Sequence, residues 1–360
     1  MQATDFADAP LVWSREALLE SDCYAEPLVA NGVRCHGGFD ADGRYGSPRT
    51  LHRAPAIGAW QARLAREGTP LLDLDRRLMP PQYPNVAQAK LLLAHGVRDP
   101  VVRALTIISI VEGFGAIIRD VAVPDLRALV VEPVEGTALA HLAEGLFEAH
   151  ARDESGWREE GGHKQMWEAA RDLAFERPKL PGDVLMRMMG RGGRGERGER
   201  MLPELDEKSE RLIVMMSRVL VVEVFAEGTF QWGIELLSDP EVSAEPERAG
   251  ALVRYVRADE NPHVEYLRTA LSELRGRTLR TVDGGTLPGR TAVDRVLHAM
   301  LRSLVRSRPE EQREDVRANL AEDMRVAANP AALREAFDAL DSSWTPPART
   351  GFEREPAAGG

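Results

Sequence analysis

Acidic side chains interrupt two long apolar segments of this chain. Glu112 is the only charged residue in segment 104–118, and Glu223 and Glu227 lie within the largely apolar segment 212–237. Moving an ionised carboxylate out of water is unfavourable unless a cation or hydrogen-bond donors compensate it. The pattern therefore predicts buried partners for these carboxylates, and a metal ion is one such partner.

Two Glu-x-x-His motifs supply histidines for such a site. They are Glu160–His163 and Glu260–His263, and residues three apart lie on the same face of a helix. Carboxylates suit iron or manganese because hard oxygen donors can bridge two ions, while imidazole supplies a terminal nitrogen. A site for two ions takes about six ligands from facing helices. The sequence predicts these ligands to be Glu112, Glu160, His163, Glu227, Glu260 and His263.

The second helix offers a choice of carboxylate. The stretch of chain from Glu112 to Glu160 is long for two adjacent antiparallel helices, and the segment 155–162 resembles an insertion. Glu154, which precedes this segment, therefore competes with Glu160. His150, one turn earlier, is a candidate for an additional ligand or a proton relay.

The third helix offers a similar choice. Glu223 and Glu227 are four residues apart and share a helix face. We favour Glu227 as the ligand because Gly228 beside it leaves room for a metal ion. Glu223 would then lie next to the ligands, or pair with an arginine.

The fourth helix contains a proline within its motif. The sequence Asp259-Glu-Asn-Pro also fits an ordinary helix start, with Asn261 as the cap and Pro262 in the first turn. A kinked helix that still carries Glu260 is the alternative. Asp259 is a further candidate ligand in place of Glu260.

Apolar spacing predicts a chain that is almost entirely helical. Strand signals are nearly absent, so the expected class is all-α. We expect residues 1–85 to wrap around the core without regular structure, apart from a short helix at 57–67. Residues 86–276 are expected to form the metal-binding bundle, and residues 290–342 to form helices that pack on it. Residues 343–360 are expected to be disordered. Helices are predicted at about 86–95, 100–121, 136–150, 163–175, 204–238, 247–275, 291–307, 309–326 and 331–340.

Over residues 100–275 the order and spacing of the candidate ligands resemble those of the ferritin-like di-iron carboxylate superfamily. That resemblance implies a four-helix bundle holding two iron ions, or manganese and iron, with O2 as co-substrate. It also implies a second layer of residues that orients the ligating histidines, for which Asp259 and Asp120 are candidates. The motif around Asp259 and His263 is similar as well to that of heme-oxygenase-like di-iron oxidases.

Three functions are compatible with these residues. The first is a di-iron oxygenase or oxidase that hydroxylates, desaturates or N-oxygenates a small organic substrate and draws on an external electron donor. The second is a non-catalytic iron- or manganese-binding bundle. The third is a metal-free helical interaction protein in which the buried glutamates pair with arginines.

Composition and charge bear on the binding partners of the protein and on its location in the cell. The net charge is −11 and no basic stripe stands out, which disfavours nucleic-acid binding. The arginine-rich segment 191–200 also carries glycine and glutamate, so a mobile loop is expected there. The two cysteines, Cys23 and Cys35, are expected to be reduced thiols. We expect a cytoplasmic protein that has no membrane span and can form a homodimer.

Overall fold

The computed structural model of this chain describes residues 6, 8–75, 78, 80–182, 184, 200–303 and 308–341. Most of the predicted loop 191–203 and the predicted tail 343–360 lie outside these residues. The described chain is mainly helical, with one three-stranded and one two-stranded sheet. Cys23 and Cys35 are both free thiols.

The N-terminal region is more ordered than the sequence predicted. Helix α1 spans Arg15–Leu19, and strands β1 (Glu26–Ala30), β2 (Val33–Phe39) and β3 (Tyr45–Gly46) form an antiparallel sheet. Helix α2 then covers Arg53–Arg66. The sheet was missed because four consecutive residues of β2 are buried, so the strand lacks the alternation of buried and exposed positions that identifies a half-buried strand.

The middle of the chain holds the helices that matter for the site. Several of them match the predicted ranges closely, but the predicted helix at 136–150 is instead a 3₁₀ turn and a π-helical turn that lead into α6. The helices are α3 (Val86–Ala94), α4 (Asp99–Gly115, continued by a 3₁₀ turn at Ala116–Asp120), α5 (Leu126–Leu129), α6 (Phe147–Ser155), α7 (His163–Ala174), α8 (Glu207–Leu237) and α9 (Pro246–Arg275).

Helices α8 and α9 are the longest elements and pack against each other. Asp206 caps the start of α8 by accepting hydrogen bonds from the backbone N–H groups of Lys208 and Ser209. Helix α9 continues through Pro262, so the interpretation of Asn261 as a helix cap is wrong. Helix α4 packs on α6 and α7, and α7 packs on α9, which brings all five helices around one interior.

The C-terminal third packs on these helices. After a hairpin of β4 (Thr278–Arg280) and β5 (Thr286–Pro288), helix α10 (Gly289–Arg302) packs on α8 and α9. Helices α11 (Arg308–Asp323) and α12 (Pro330–Ala339) close a separate apolar cluster over α3 that includes Leu92, Leu320 and Phe337. This short hairpin was also not predicted.

One described segment, Asp99–Asp120, is long and apolar enough to cross a membrane by length and composition alone. Only 39% of its most apolar window is buried inside the protein. It corresponds to α4 and the turn that follows, so the charge of Glu112 lies within it.

Candidate metal centre

Seven side chains that could bind metal, four carboxylates and three imidazoles, meet in the interior between α4, α6, α7, α8 and α9. His163, the first residue of α7, places Nδ1 2.9 Å from Glu260 Oε1, 3.3 Å from Glu154 Oε1 and 3.6 Å from Glu112 Oε2. All four residues are fully or almost fully buried. The predicted ligands Glu112, His163 and Glu260 are therefore brought together, with Glu154 among them.

A second histidine group lies on the other side of Glu154. His263 Nδ1 is 2.7 Å from Glu260 Oε2 and 3.3 Å from Glu154 Oε1. His150 Nε2 is 3.3 Å from Glu223 Oε1 and 3.8 Å from Glu154 Oε1. Because Glu154 approaches all three imidazoles and Glu260 approaches two, these carboxylates occupy the middle of the cluster.

The cluster contains two overlapping sets of donors suited to a metal ion. In each set one donor atom per residue lies within 4.8 Å of the others. One set is Glu154, His163, Glu260 and His263, and the other is His150, Glu154, Glu223 and His263.

Two predicted ligands lie elsewhere. The side chain of Glu160 is 39% exposed and pairs with Arg34 at 3.3 Å. Glu227 forms an ion pair with Arg257 at the surface between α8 and α9. The alternates Glu154 and Glu223 occupy the places in the cluster that were predicted for Glu160 and Glu227. Glu227 lies about 6 Å further along α8 than Glu223, where its carboxylate reaches Arg257 of α9 instead of the cluster.

A tight turn between α6 and α7 explains why Glu154 replaces Glu160. Gly156 ends α6 with φ of +83°, and the backbone of Trp157 pairs with that of Glu160. Gly161 then pairs with strand β2, which fixes the turn against the sheet. The segment thus points Glu160 outward and returns the chain so that His163 starts α7 beside Glu154.

Gly115 makes room for the central carboxylate. A Cβ atom at this position would lie 2.6 Å from Cγ and 2.7 Å from Cδ of Glu154. Real side chains do not approach this closely, so α4 reaches Glu154 only because residue 115 has no side chain.

Asp259 lies behind His163, on the side away from the carboxylates. Its Oδ2 atom accepts a hydrogen bond from the Tyr45 hydroxyl at 2.8 Å and lies 3.2 Å from His36 Nε2 and 3.6 Å from His163 Nε2. The approach to His163 Nε2 leaves Nδ1 facing the carboxylates. Asp259 thus stands where a carboxylate that orients a metal-binding histidine would stand, although 3.6 Å is longer than a hydrogen bond. The predicted second-layer role of Asp259 agrees with this geometry, whereas Asp120 is exposed.

Asp153 has the equivalent place behind His263. Its Oδ2 atom lies 2.9 Å from His263 Nε2, and its carboxylate is held by Arg49 and Arg53. The charges of the two arginines outweigh the effect of burial and hold the pKa of Asp153 well below its usual value. An ionised Asp153 accepts a hydrogen bond from His263 Nε2, so the lone pair of Nδ1 points into the cluster.

Charge is unbalanced at the centre of the cluster. Burial raises the pKa of Glu154 and of Glu260 well above the usual value, and the neighbouring Glu223 adds to the rise. The charges of Glu260 and Glu154 outweigh burial and raise the pKa of His163 well above its usual value. All three pKa values are raised, which means that the centre of the cluster favours added positive charge, whether protons or metal ions.

The pKa values of Glu223 and His263 are lowered, in contrast to those at the centre of the cluster. The imidazole of His150, whose Nε2 lies 3.3 Å from Glu223 Oε1, outweighs burial and lowers the pKa of Glu223 to about 2. Burial and the proximity of His150 lower the pKa of His263 to about 3. An ionised carboxylate and a neutral imidazole are the forms that bind a metal ion.

Four donor atoms that face the middle of the cluster lack hydrogen-bond partners, whereas His263 Nδ1 is hydrogen-bonded to Glu260 Oε2 at 2.7 Å. They are His150 Nε2, Glu154 Oε1, His163 Nδ1 and Glu260 Oε1. A buried polar atom without a partner is costly and rare in folded proteins. Two divalent cations would satisfy these atoms and balance the charge of Glu112, Glu154, Glu223 and Glu260. The residues present therefore fit a pair of metal ions.

A cavity of about 900 Å³ opens beside the cluster. Glu112, Glu154 and Glu223 contribute to its lining, which otherwise comes mostly from apolar side chains of α4 and α8. This volume is near the upper end for small-molecule sites, about 300–1,000 Å³. The apolar lining includes Ile108, Val111, Phe114, Met215, Val219 and Val222.

The second-layer residues from the N-terminal region had no signal in the sequence. His36 and Tyr45 belong to the sheet that was not predicted, and Arg49 and Arg53 lie in the region taken to be irregular. Their contacts join residues more than 90 positions apart, which no local pattern reveals.

A scan against protein-family models, a search of the curated proteins and a search of the solved structures each found no match to this chain.

Proposed function

We propose that this protein binds two iron ions, or one manganese and one iron, and activates O2 to oxidise a small organic substrate. The observation that carries the proposal is the convergence of buried carboxylates and imidazoles, four of whose inner atoms lack hydrogen-bond partners, directly beside an apolar cavity. Carboxylate-rich donor sets with imidazole suit these metals. An enzyme that oxidises a substrate needs a cavity that reaches the metal ligands, whereas a protein that only stores metal does not need one.

The residues would divide between the two ions. Glu154 and Glu260, in the middle of the cluster, would bind both. Glu112 and His163 would complete one side, and Glu223 and His263 the other, with His150 as an additional donor there. The bound ions would supply the redox chemistry for reducing O2, and the apolar walls of the cavity would limit the access of water.

We infer that the helices form a ferritin-like bundle around this centre. The support is the order of ligands along the chain: a lone Glu on α4, a carboxylate and histidine from α6 and α7, a lone Glu on α8 and Glu-x-x-His on α9. The chain differs from the expected pattern because a tight turn separates Glu154 from His163. Glu260, rather than Asp259, faces the shared centre, which favours this arrangement over the heme-oxygenase-like one.

Anaerobic titration with ferrous iron, followed by addition of O2, tests the proposal. We expect two irons per chain, uptake of O2 and an oxidised chromophore. Failure to bind iron would support a metal-free helical interaction protein, and iron binding without O2 uptake would support a non-catalytic metal-binding bundle. An external electron donor, a homodimer and a cytoplasmic location remain predictions.

A further inference from the structure

The cavity is a groove between α4 and α8. Arg103, near the start of α4, pairs with Asp323 of α11. Thr229, in the second half of α8, contacts Gln82, and the neighbouring Tyr83 contacts Arg317 of α11, so Arg103 and Thr229 lie at the same end of the groove. The two helices therefore run in opposite directions along it. Glu223 lies in the middle of the stretch of α8 that lines the groove, so the metal centre faces the middle of the groove.

The two ends of the groove differ in charge. At the first end Arg103 is neutralised by Asp323, with two nitrogen–oxygen distances of 2.9 and 3.2 Å. At the other end Arg211 and Arg218 line the groove, are exposed, and form no ion pair with any residue that the structure describes. One end therefore offers two cationic side chains for a ligand, and the other does not.

Several apolar side chains that line the groove are exposed to solvent, as judged from the residues that the structure describes. Val111, Phe114 and Val222 are 44%, 54% and 44% exposed. Exposed apolar surface in a groove of this size favours an apolar ligand, because covering it removes that surface from water.

We propose that the groove binds an amphipathic carboxylate with a long, slender apolar chain. The head group pairs with Arg211 and Arg218, and the chain lies on the apolar walls and passes the metal centre. Arg211 precedes Glu223 by about 18 Å along α8 and Arg218 by about 8 Å, at 1.5 Å per residue. The anionic head group is held at the arginine end because Arg211 and Arg218 have no ion pair with a described residue there. This inference rests on the proposed function, in which such a molecule is the substrate.

Binding of four twelve-carbon probes tests the proposal: dodecanoate, dodecyl phosphate, dodecanol and dodecyltrimethylammonium. Calorimetry at fixed ionic strength is run on metal-free and on Mn(II)-loaded protein. We expect dodecanoate to bind at least tenfold more tightly than the alcohol and the cation. Equal affinity for all four probes, or a tenfold preference for the phosphate, would overturn the proposal.

Substitutions locate the head group and the chain. The double variant Arg211→Gln, Arg218→Gln should weaken dodecanoate at least tenfold and leave dodecanol unchanged. Arg290→Gln is the matched control, because Arg290 is also exposed, has no ion pair to a described residue and lies away from the groove. An unchanged affinity of the double variant for dodecanoate would refute the role of the arginines.

The wall is tested by Val222→Glu, which places a charge on the apolar side of the groove. It should weaken every probe that carries the twelve-carbon chain, the neutral alcohol included. Val282→Glu is the control, since Val282 is 67% exposed in the turn between β4 and β5. Unchanged affinity of Val222→Glu for dodecanol would overturn the placement of the chain.

The two proposals can fail separately. If the probes do not bind but two irons per chain do, only the substrate class is wrong. If dodecanoate binds through the arginines but iron does not bind, the groove is an anion-binding site and the oxygenase proposal is wrong.

Discussion

Replacement of Glu154 by Gln should separate metal binding from stability. The Oε1 atom of Glu154 lies 3.3 Å from His163 Nδ1, 3.3 Å from His263 Nδ1 and 3.8 Å from His150 Nε2, so this one carboxylate faces both halves of the cluster. Gln keeps the size of the side chain but removes the negative charge. Both metal ions should lose a ligand, while the metal-free protein should become more stable because burial disfavours the ionised carboxylate at this position.

The expected magnitude follows from linkage. Loss of a residue that only orients a ligand weakens metal affinity about 10–100-fold, so loss of a shared ligand should reach at least about 100-fold. At a Mn(II) concentration about 1,000 times the dissociation constant, one site stabilises the wild type by about 4.1 kcal/mol. A variant that binds about 100-fold more weakly keeps about 1.4 kcal/mol of this, a loss of about 2.7 kcal/mol per site.

Urea unfolding with and without Mn(II), together with metal analysis after gel filtration, measures both effects. The control is Glu160→Gln, which removes the same group from a position that is 39% exposed and pairs with Arg34. The control should keep two ions and the full Mn(II) stabilisation. If Glu160→Gln loses the metal and Glu154→Gln keeps it, the ligand assignment is wrong.

Four further predictions test other parts of the account. Glu223→Gln should remove one of the two ions while Glu227→Gln keeps both, as measured by metal analysis; the reverse result would contradict the placement of α8. Tyr45→Phe should cost about 1–3 kcal/mol in urea unfolding, since it removes a donor from a buried carboxylate, and an unchanged midpoint would argue against that contact. Gly115→Ala should destabilise the protein by about 1–3 kcal/mol through overpacking, despite the gain of about 1 kcal/mol that Ala usually brings to a helix; a stabilised variant would refute the close contact. The pKa of Glu260 is raised above its usual 4.5 in the folded protein, so its contribution to stability is complete below pH 4.5 and is lost as the pH rises toward the folded pKa. The stability advantage of Glu260→Gln over metal-free wild type in urea should therefore grow between pH 5 and pH 8, and an advantage that shrinks would contradict the direction of the shift.

The helical class and several of the helices could be predicted because their apolar residues recur with helical spacing over many turns. The two longest are examples: α8 was predicted at 204–238 and is found at Glu207–Leu237, and α9 at 247–275 and is found at Pro246–Arg275. Asp259 could be placed behind a histidine because it lies within the same motif as Glu260.

The choice between neighbouring carboxylates could not be made from spacing. Glu160 fitted the motif, but the turn that displaces it is held by backbone pairing with strand β2, a contact between distant parts of the chain. Glu227 was favoured for the glycine beside it, whereas the surface position of Arg257 on α9 provides its actual partner. The sheet was hidden because its central strand is buried at consecutive positions.

Anomalous X-ray diffraction from crystals grown anaerobically with ferrous iron tests the central claim most directly. We predict two iron peaks about 3.5–4 Å apart, both within bonding distance of Glu154 and Glu260, with Glu112 and His163 on one and Glu223 and His263 on the other. No iron peak among these side chains, or glutamates that pair with arginines in a closed interior, would contradict the claim that the buried acids hold two cations.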